Sequence, residues 1–238
     1  MISIILNNKK YLYFLLFLVL SYSCKKRTII SYPNQVPEKN SIKIAESRHV
    51  DIFLLNGSHL GGGIFLDNDG FILTERSILP SKFRELKISI DGKNFQKVKK
   101  FFFLKEDNLV IISSDLKVNL LPMKISDNSE ISILSDIFTV TSPYGLKFSF
   151  IQGFISNTNR KGLDPLFPDI PYFQVTTLNY EGTSGSGVYS INGTFLGINR
   201  KSGVTGQENG FGLVIPAKFI MESLKKLKIT NIPIENKN

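Results

Sequence analysis

The sequence predicts an all-β domain of two packed antiparallel barrels followed by a short C-terminal helix, and three observations predict it. From residue 41 onward the apolar runs are short and are broken by Gly, Asn and Asp at strand spacing. Turn signals sit between such runs, at Asp69-Gly70, Asp91-Gly92 and Asn192-Gly193. Helical spacing of apolar residues occurs only near the C-terminus. A dozen short strands with one helix fit two barrels, and no solenoid-length repeat or heptad pattern competes. At 238 residues, 42% of them hydrophobic, the chain is long enough to bury one sizeable core.

Residues 1–23 are set apart from the fold. Lys9 and Lys10 form a positive head, and Tyr11 to Leu20 form an apolar core. That run is shorter than the roughly 20 residues that span a bilayer, so it reads as a secretory signal peptide. Leu20-Ser21-Tyr22-Ser23-Cys24 resembles a relaxed bacterial lipobox. The resemblance implies cleavage before Cys24 and a diacylglycerol on its sulfur; the alternative is an ordinary signal peptide or a membrane anchor that happens to end at a cysteine. Cys24 is the only cysteine, so no internal disulfide can form, which favours lipidation. Several acyl chains together anchor a protein stably to a membrane. Residues 24–40 are polar, carry Pro33 and Pro37, and read as a flexible tether. Residues 41–238 form the domain.

Within the domain, Gly61–Leu66 and Phe71–Thr74 flank Asp67-Asn68-Asp69-Gly70 as a hairpin. Leu86–Ile90 alternates apolar and polar residues, and another strand follows through Val98. Leu109–Ile112 and Ile137–Thr141 read as strands, the first of them buried, and Phe148–Ile155 as a strand leading into a polar loop, 157–169. Tyr172–Thr177, Val188–Ser190, Thr194–Asn199 and Phe211–Pro216 complete the strand set. Ala217–Lys228 carries Phe219, Ile220, Leu224 and Leu227 on one helical face.

The loop Glu181-Gly182-Thr183-Ser184-Gly185-Ser186-Gly187 holds a serine between glycines, with a strand on each side. Glycines there permit positive φ and bring N–H groups close to a bound atom, which is how a serine nucleophile and an oxyanion hole are built together. The same pattern also serves a polar hairpin turn. The formal charge of +9 comes from scattered lysines with no basic block, which argues against nucleic acid as a partner. A basic surface suits an anionic membrane face or acidic partners. Nothing in the sequence calls for a metal or a cofactor.

Six segments in order, from about Gly57 to Ile220, are similar to the protease domain of the HtrA/Deg family of trypsin-like serine proteases. They are Gly61–Thr74, Ser142-Pro143-Tyr144-Gly145-Leu146, Gln152–Ser156, Gly182–Gly187, Leu196–Asn199 and Gly210–Pro216. The chain ends soon after the helix, so the PDZ domains common in that family are expected to be absent. The resemblance places Ser184 at the nucleophile. It also places Ser77 where the family has its catalytic histidine and Asn108 where it has its aspartate, with Asp107 one residue away. A one-residue slip in a strand aims Asp107 to the opposite face unless a bulge intervenes. Glu75 and Arg76 read as exposed loop charges.

A serine hydroxyl is a poor nucleophile without a neighbouring base, and Ser77 cannot be one. The residual acceleration from an oxyanion hole and binding, on the order of 10³–10⁴-fold, is too small for a working protease. The hairpin register places His59 near the cleft, either as a substitute base or as a structural histidine bonded to backbone. Gly182, Thr183 and Ser184 form the expected oxyanion loop, and Ile198, Asn199 and Arg200 the expected substrate edge. Three functions follow as expectations for a lipid-anchored protein of the bacterial cell envelope. The first is a pseudoprotease binding a peptide or protein partner. The second is a divergent serine endopeptidase using Ser184 and His59. The third is a surface interaction protein with the fold as scaffold.

Overall fold

The computed structural model describes residues 36–80, 85–104, 107–176, 180–200 and 211–226. The signal peptide, Cys24 and most of the tether lie outside them, as do Thr177 and Leu227. The described chain begins with helix α1 (Lys39–Arg48), which strand spacing had not predicted, and runs directly into β1 (His49–Leu54). Then follow β2 (His59–Phe65), β3 (Phe71–Glu75), β4 (Leu86–Ser89), β5 (Gln96–Lys97), β6 (Lys100–Leu104) and β7 (Leu109–Ser113). The second half contains β8 (Asp136–Thr141), β9 (Ser149–Arg160), β10 (Tyr172–Val175), β11 (Gly187–Ser190), β12 (Phe195–Arg200) and β13 (Gly212–Pro216), then helix α2 (Ala217–Lys226).

The first half is a seven-stranded antiparallel sheet in the order β5-β4-β1-β2-β3-β7-β6, and the second is a closed six-stranded barrel, β10-β13-β12-β11-β8-β9. The two edge strands of the first sheet belong to one stretch of chain. Val98 N–H still donates to Leu86 O on β4 at 3.0 Å, and Lys99 N–H already donates to Ser113 O on β7 at 2.9 Å. That stretch bends the sheet toward closure, so the expectation of two β-barrels is met by one full and one half barrel. The β2–β3 hairpin has the predicted register, Ile64↔Leu73 and Phe65↔Ile72. Asp67 Oδ1 holds its turn by accepting from Asp69 N–H at 3.0 Å and Phe71 N–H at 3.1 Å.

Strands with both faces buried read as unbroken apolar runs, and β7 shows why. Val110 and Ile112 pack inside the first sheet with Ile52, Phe65 and Ile72. Leu109 and Ile111 face a shared core with Leu73, Phe138, Ile198 and Ile215. Ile220 and Leu224 of α2 complete that core. Each such side chain contributes about 1.5–3 kcal/mol on burial. Strand β9 runs to Arg160, five residues beyond the predicted apolar stretch, because its polar residues pair in the ladder with β10. No helix among the described residues is long and apolar enough to cross a membrane. The candidate site lies where the two sheets meet, Gly62 N–H of β2 donating to Ser184 O at 2.8 Å.

Candidate active site of a protease fold

Ser184 sits between β10 and β11 and is 6% exposed. Gly182 (φ 87°) and Gly185 (φ 82°) flank it in the left-handed region, where a side chain is strained. A Cβ on Gly182 would also meet Ser142 O at 2.8 Å and the His59 ring at 3.0 Å. The loop is tied to the first sheet by Gly62 N–H donating to Ser184 O at 2.8 Å. It is tied to its own barrel by Gly185 N–H donating to Asn199 O and Asn199 N–H to Ser186 O, both 2.8 Å.

The N–H groups of the loop divide into used and unused. Thr183 N–H donates to Tyr180 O at 3.2 Å, so Thr183, expected in the oxyanion loop, turns its donor inward. Among the described residues neither Gly182 N–H nor Ser184 N–H has a hydrogen-bond partner. Tyr144 N–H donates to Glu181 O at 2.7 Å. Because the carbonyl and N–H of a trans peptide point in opposite directions, this bond turns Gly182 N–H away from Tyr144. The Ser184 hydroxyl likewise meets no base within hydrogen-bonding distance among the described residues.

Ser77 and Asn108 are brought together, and what joins them is Glu75. Glu75 was expected to be an exposed loop charge; it is instead the last residue of β3 and fully buried. Its Oε2 accepts from Ser77 Oγ at 2.8 Å and from Asn108 Nδ2 at 3.1 Å. Arg200 reaches across from β12, and its Nη1 donates to Ser77 Oγ at 2.7 Å and to Glu75 Oε2 at 3.2 Å. The other side of the guanidinium binds Asp164 Oδ2 through Nε at 3.1 Å and Nη2 at 2.9 Å. Tyr172 OH donates to the same oxygen at 3.1 Å. Burial opposes the charge on Arg200, but Glu75 and Asp164 outweigh it and hold its pKa above the ordinary value. Burial, with Asp164 beside it, pushes the Tyr172 phenol up. Arg76 alone of this group is exposed, as expected. Asp107 points elsewhere, 3.7 Å from Lys226 Nζ. Asn108 takes a left-handed φ of 54° just before β7 begins.

His59 is bonded to a side chain rather than to backbone. His59 Nε2 lies 3.3 Å and His49 Nε2 3.1 Å from the same Asp51 oxygen, Oδ1. A carboxylate only accepts, so both Nε2 atoms carry protons in these bonds. Lys147 Nζ stands 3.9 Å from Asp51 Oδ2, and Ser142 Oγ 3.5 Å from His49 Nε2. This group lines the side of the oxyanion loop where Gly182 packs on the His59 ring. His59 was expected near the cleft, but Asp51 and His49 escape a sequence reading because they lie in a strand otherwise full of apolar residues.

Ile198 and Asn199, expected along a substrate edge, lie inside the barrel. Strand β12 pairs with β11 on one side and β13 on the other, and both backbone groups of Asn199 are taken by Gly185 and Ser186. Arg200 pairs with Leu213, and its side chain serves the ion network. Chemically, the site offers two N–H donors and a hydroxyl, with an ion cluster in which Arg200 is shared by Glu75 and Asp164. The guanidinium bonded to Ser77 cannot accept a proton, and the Glu75 carboxylate beside it already accepts from Ser77, Asn108 and Arg200.

The chain is similar to a "Probable periplasmic serine endoprotease DegP-like" of Halomonas elongata, 25% identical over 170 residues, covering 71% of this chain and 35% of that protein. It is 26% identical over 176 residues to "Serine endoprotease DegS" of Escherichia coli K12, covering 71% of this chain and 48% of the relative. It therefore spans less than half the length of these relatives. A solved structure described as "HtrA-type protease AlgW with tripeptide" shares the fold at a TM-score of 0.66 and 21% identity, covering 79% of this chain and 62% of that one. The family model described as "Trypsin-like peptidase domain" matches residues 61–198, from the first glycine of β2 to the strand that carries Arg200. With that match over more than half its length, the chain belongs to the trypsin-like peptidase domain family.

Proposed function

We propose that this protein is a lipid-anchored component of the bacterial cell envelope whose trypsin-like domain binds a peptide or protein partner without cleaving it. One observation carries the reading: Arg200 is bonded to Ser77 at 2.7 Å and to Glu75 at 3.2 Å, so a fixed cation stands at the position the family resemblance assigns to the base. Ser184 is left with a hydroxyl that no described group activates, while the Gly182 and Ser184 N–H groups remain free to grip a ligand. Cys24 supplies the anchor in this proposal, and the similarity to a "Probable periplasmic serine endoprotease DegP-like" is in keeping with an envelope setting.

The test is labelling of the full chain with a fluorophosphonate probe, with Ser184→Ala as control. The expected result is no labelling above the control; strong labelling lost in Ser184→Ala would overturn the reading. Metabolic labelling with a palmitate analogue, lost in Cys24→Ser, tests the anchor.

A second reading has its own observation. His59 bonded to Asp51 at 3.3 Å has the pairing that orients a general base, and its ring touches the oxyanion loop at Gly182. In this reading the protein is a serine endopeptidase with a relocated base. Turnover of unfolded casein, abolished by both Ser184→Ala and His59→Ala, selects it.

A further inference from the structure

We infer that the loop Gly182–Ser184 receives the terminal α-carboxylate of a peptide, so that the ligand ends in the cleft instead of passing through it. The inference deepens the peptide-binding reading above and rests on it. Three donors without a partner among the described residues lie in one loop of three residues: Gly182 N–H, Ser184 N–H and the Ser184 hydroxyl. In a protease the hydroxyl proton is promised to a base, and the two N–H groups then match a single carbonyl oxygen. Here Ser77, bonded to Glu75 and Arg200, takes no proton, so the Ser184 O–H is a donor like the other two.

The number and kind of partners decide which ligand fits. The carbonyl of an internal peptide bond presents one oxygen, which two N–H donors saturate, and leaves the hydroxyl proton unmatched. A carboxylate presents two oxygens, accepts only, and can satisfy all three donors together. Bonds to a charged acceptor are roughly twice as strong as neutral ones, and concavities of backbone N–H groups are recurrent anion sites. The donors are also held ready. Glu181 O is fixed by Tyr144 N–H at 2.7 Å, Ser184 O by Gly62 N–H at 2.8 Å, and Gly185 N–H by Asn199 O at 2.8 Å, so little ordering is needed on binding. The charge of the nearby acids is partly offset. Glu75 and Asp164 share one cation, Arg200, and Asp51 is paired with His49, His59 and Lys147. Glu181 is exposed, where solvent screens it.

The experiment uses the full chain in detergent and a fluorescein-labelled decapeptide library of degenerate sequence, made once as the free acid and once as the C-terminal amide. Capture is read by fluorescence polarisation. The expected result is at least tenfold tighter capture of the free-acid library, on the scale of one charge-assisted hydrogen bond. Ser184→Ala should weaken free-acid capture severalfold and narrow the gap between the two libraries. Equal capture of both libraries would overturn the carboxylate inference and leave the peptide-binding reading standing. Capture of neither would overturn both. Should Ser184→Ala perturb folding, backbone NMR of the unmodified chain decides. Downfield shifts of the Gly182 and Ser184 amide protons with the acid library, and not with the amide library, support the inference; their absence refutes it.

Discussion

Asp51 is 2% exposed and accepts a hydrogen bond from each of the two histidines in the chain. Burial favours its neutral form, but the bonds from His49 and His59 and the charge of His49 outweigh this and hold the carboxyl below the usual carboxylate range. A carboxyl with a depressed folded pKa adds stability that is fully present above its unfolded pKa, about 3.9, and is lost as pH falls toward the folded value. Asp51→Asn is therefore expected to cost about 3–5 kcal/mol at pH 7, the usual penalty for breaking a buried charged pair. The gap between wild type and variant should close below about pH 4. Urea unfolding at a series of pH values measures both effects, and a gap that stays constant with pH would contradict the assignment. Lys147 sits beside this group with its own pKa lowered, chiefly by burial, against the pull of Asp51 and Asp91.

At the scale of elements, helix α1 is held in place less by an apolar stripe than by one cation. Its buried residues are Ser41, Ala45 and Arg48. The Arg48 guanidinium donates to Phe65 O at 3.0 Å and to Leu121 O at 2.8 Å, pinning the helix to β2 and to the loop between β7 and β8. Burial lowers its pKa, against a smaller opposing effect of Tyr189. Arg48→Met keeps much of the bulk but removes the donor from the buried Phe65 carbonyl and the part-buried Leu121 carbonyl, an expected loss of about 2–4 kcal/mol. Arg48→Lys should recover little, because an ammonium lacks the planar fork that spans both oxygens. Denaturation midpoints, with hydrogen exchange of residues 39–48, check both variants. The same helix explains where sequence reading stopped. The hairpin at Asp67–Gly70 and helix α2 were legible because turn chemistry and an apolar face are local signals. Helix α1 offers neither: Glu38 makes no side-chain cap, and its inward face is small or charged.

At the scale of the whole molecule, the two halves are fastened through the cleft itself. Arg200 of the barrel grips Glu75 of the first sheet across 125 positions of sequence, and Gly62 N–H holds Ser184 O. That separation is why Glu75 read as a loop charge, although the serine between its glycines was legible at once. A carboxylate at the end of an apolar strand reveals its burial only when its partner is known. Arg200→Ala would remove the cation that Glu75 and Asp164 share, with an expected loss of about 3–5 kcal/mol. Calorimetry should show one cooperative transition in wild type. In Arg200→Ala the transition should be lower and broader, or split, as the halves lose their common fastening; a sharp transition at unchanged temperature would argue against this role.

The ion network also has a meaning in evolutionary time. If Ser77 stood alone, a histidine could be placed there by one substitution, but here the position is held in an ion network. An imidazole at position 77 would meet a guanidinium bonded 2.7 Å from the present hydroxyl oxygen, and an aspartate at 108 would add a third acid beside Glu75 and Asp164. A histidine at 77 or an aspartate at 108 would therefore cost stability unless Arg200 changes with it. The network thus works as a ratchet, coupling these positions so that they change together rather than one by one.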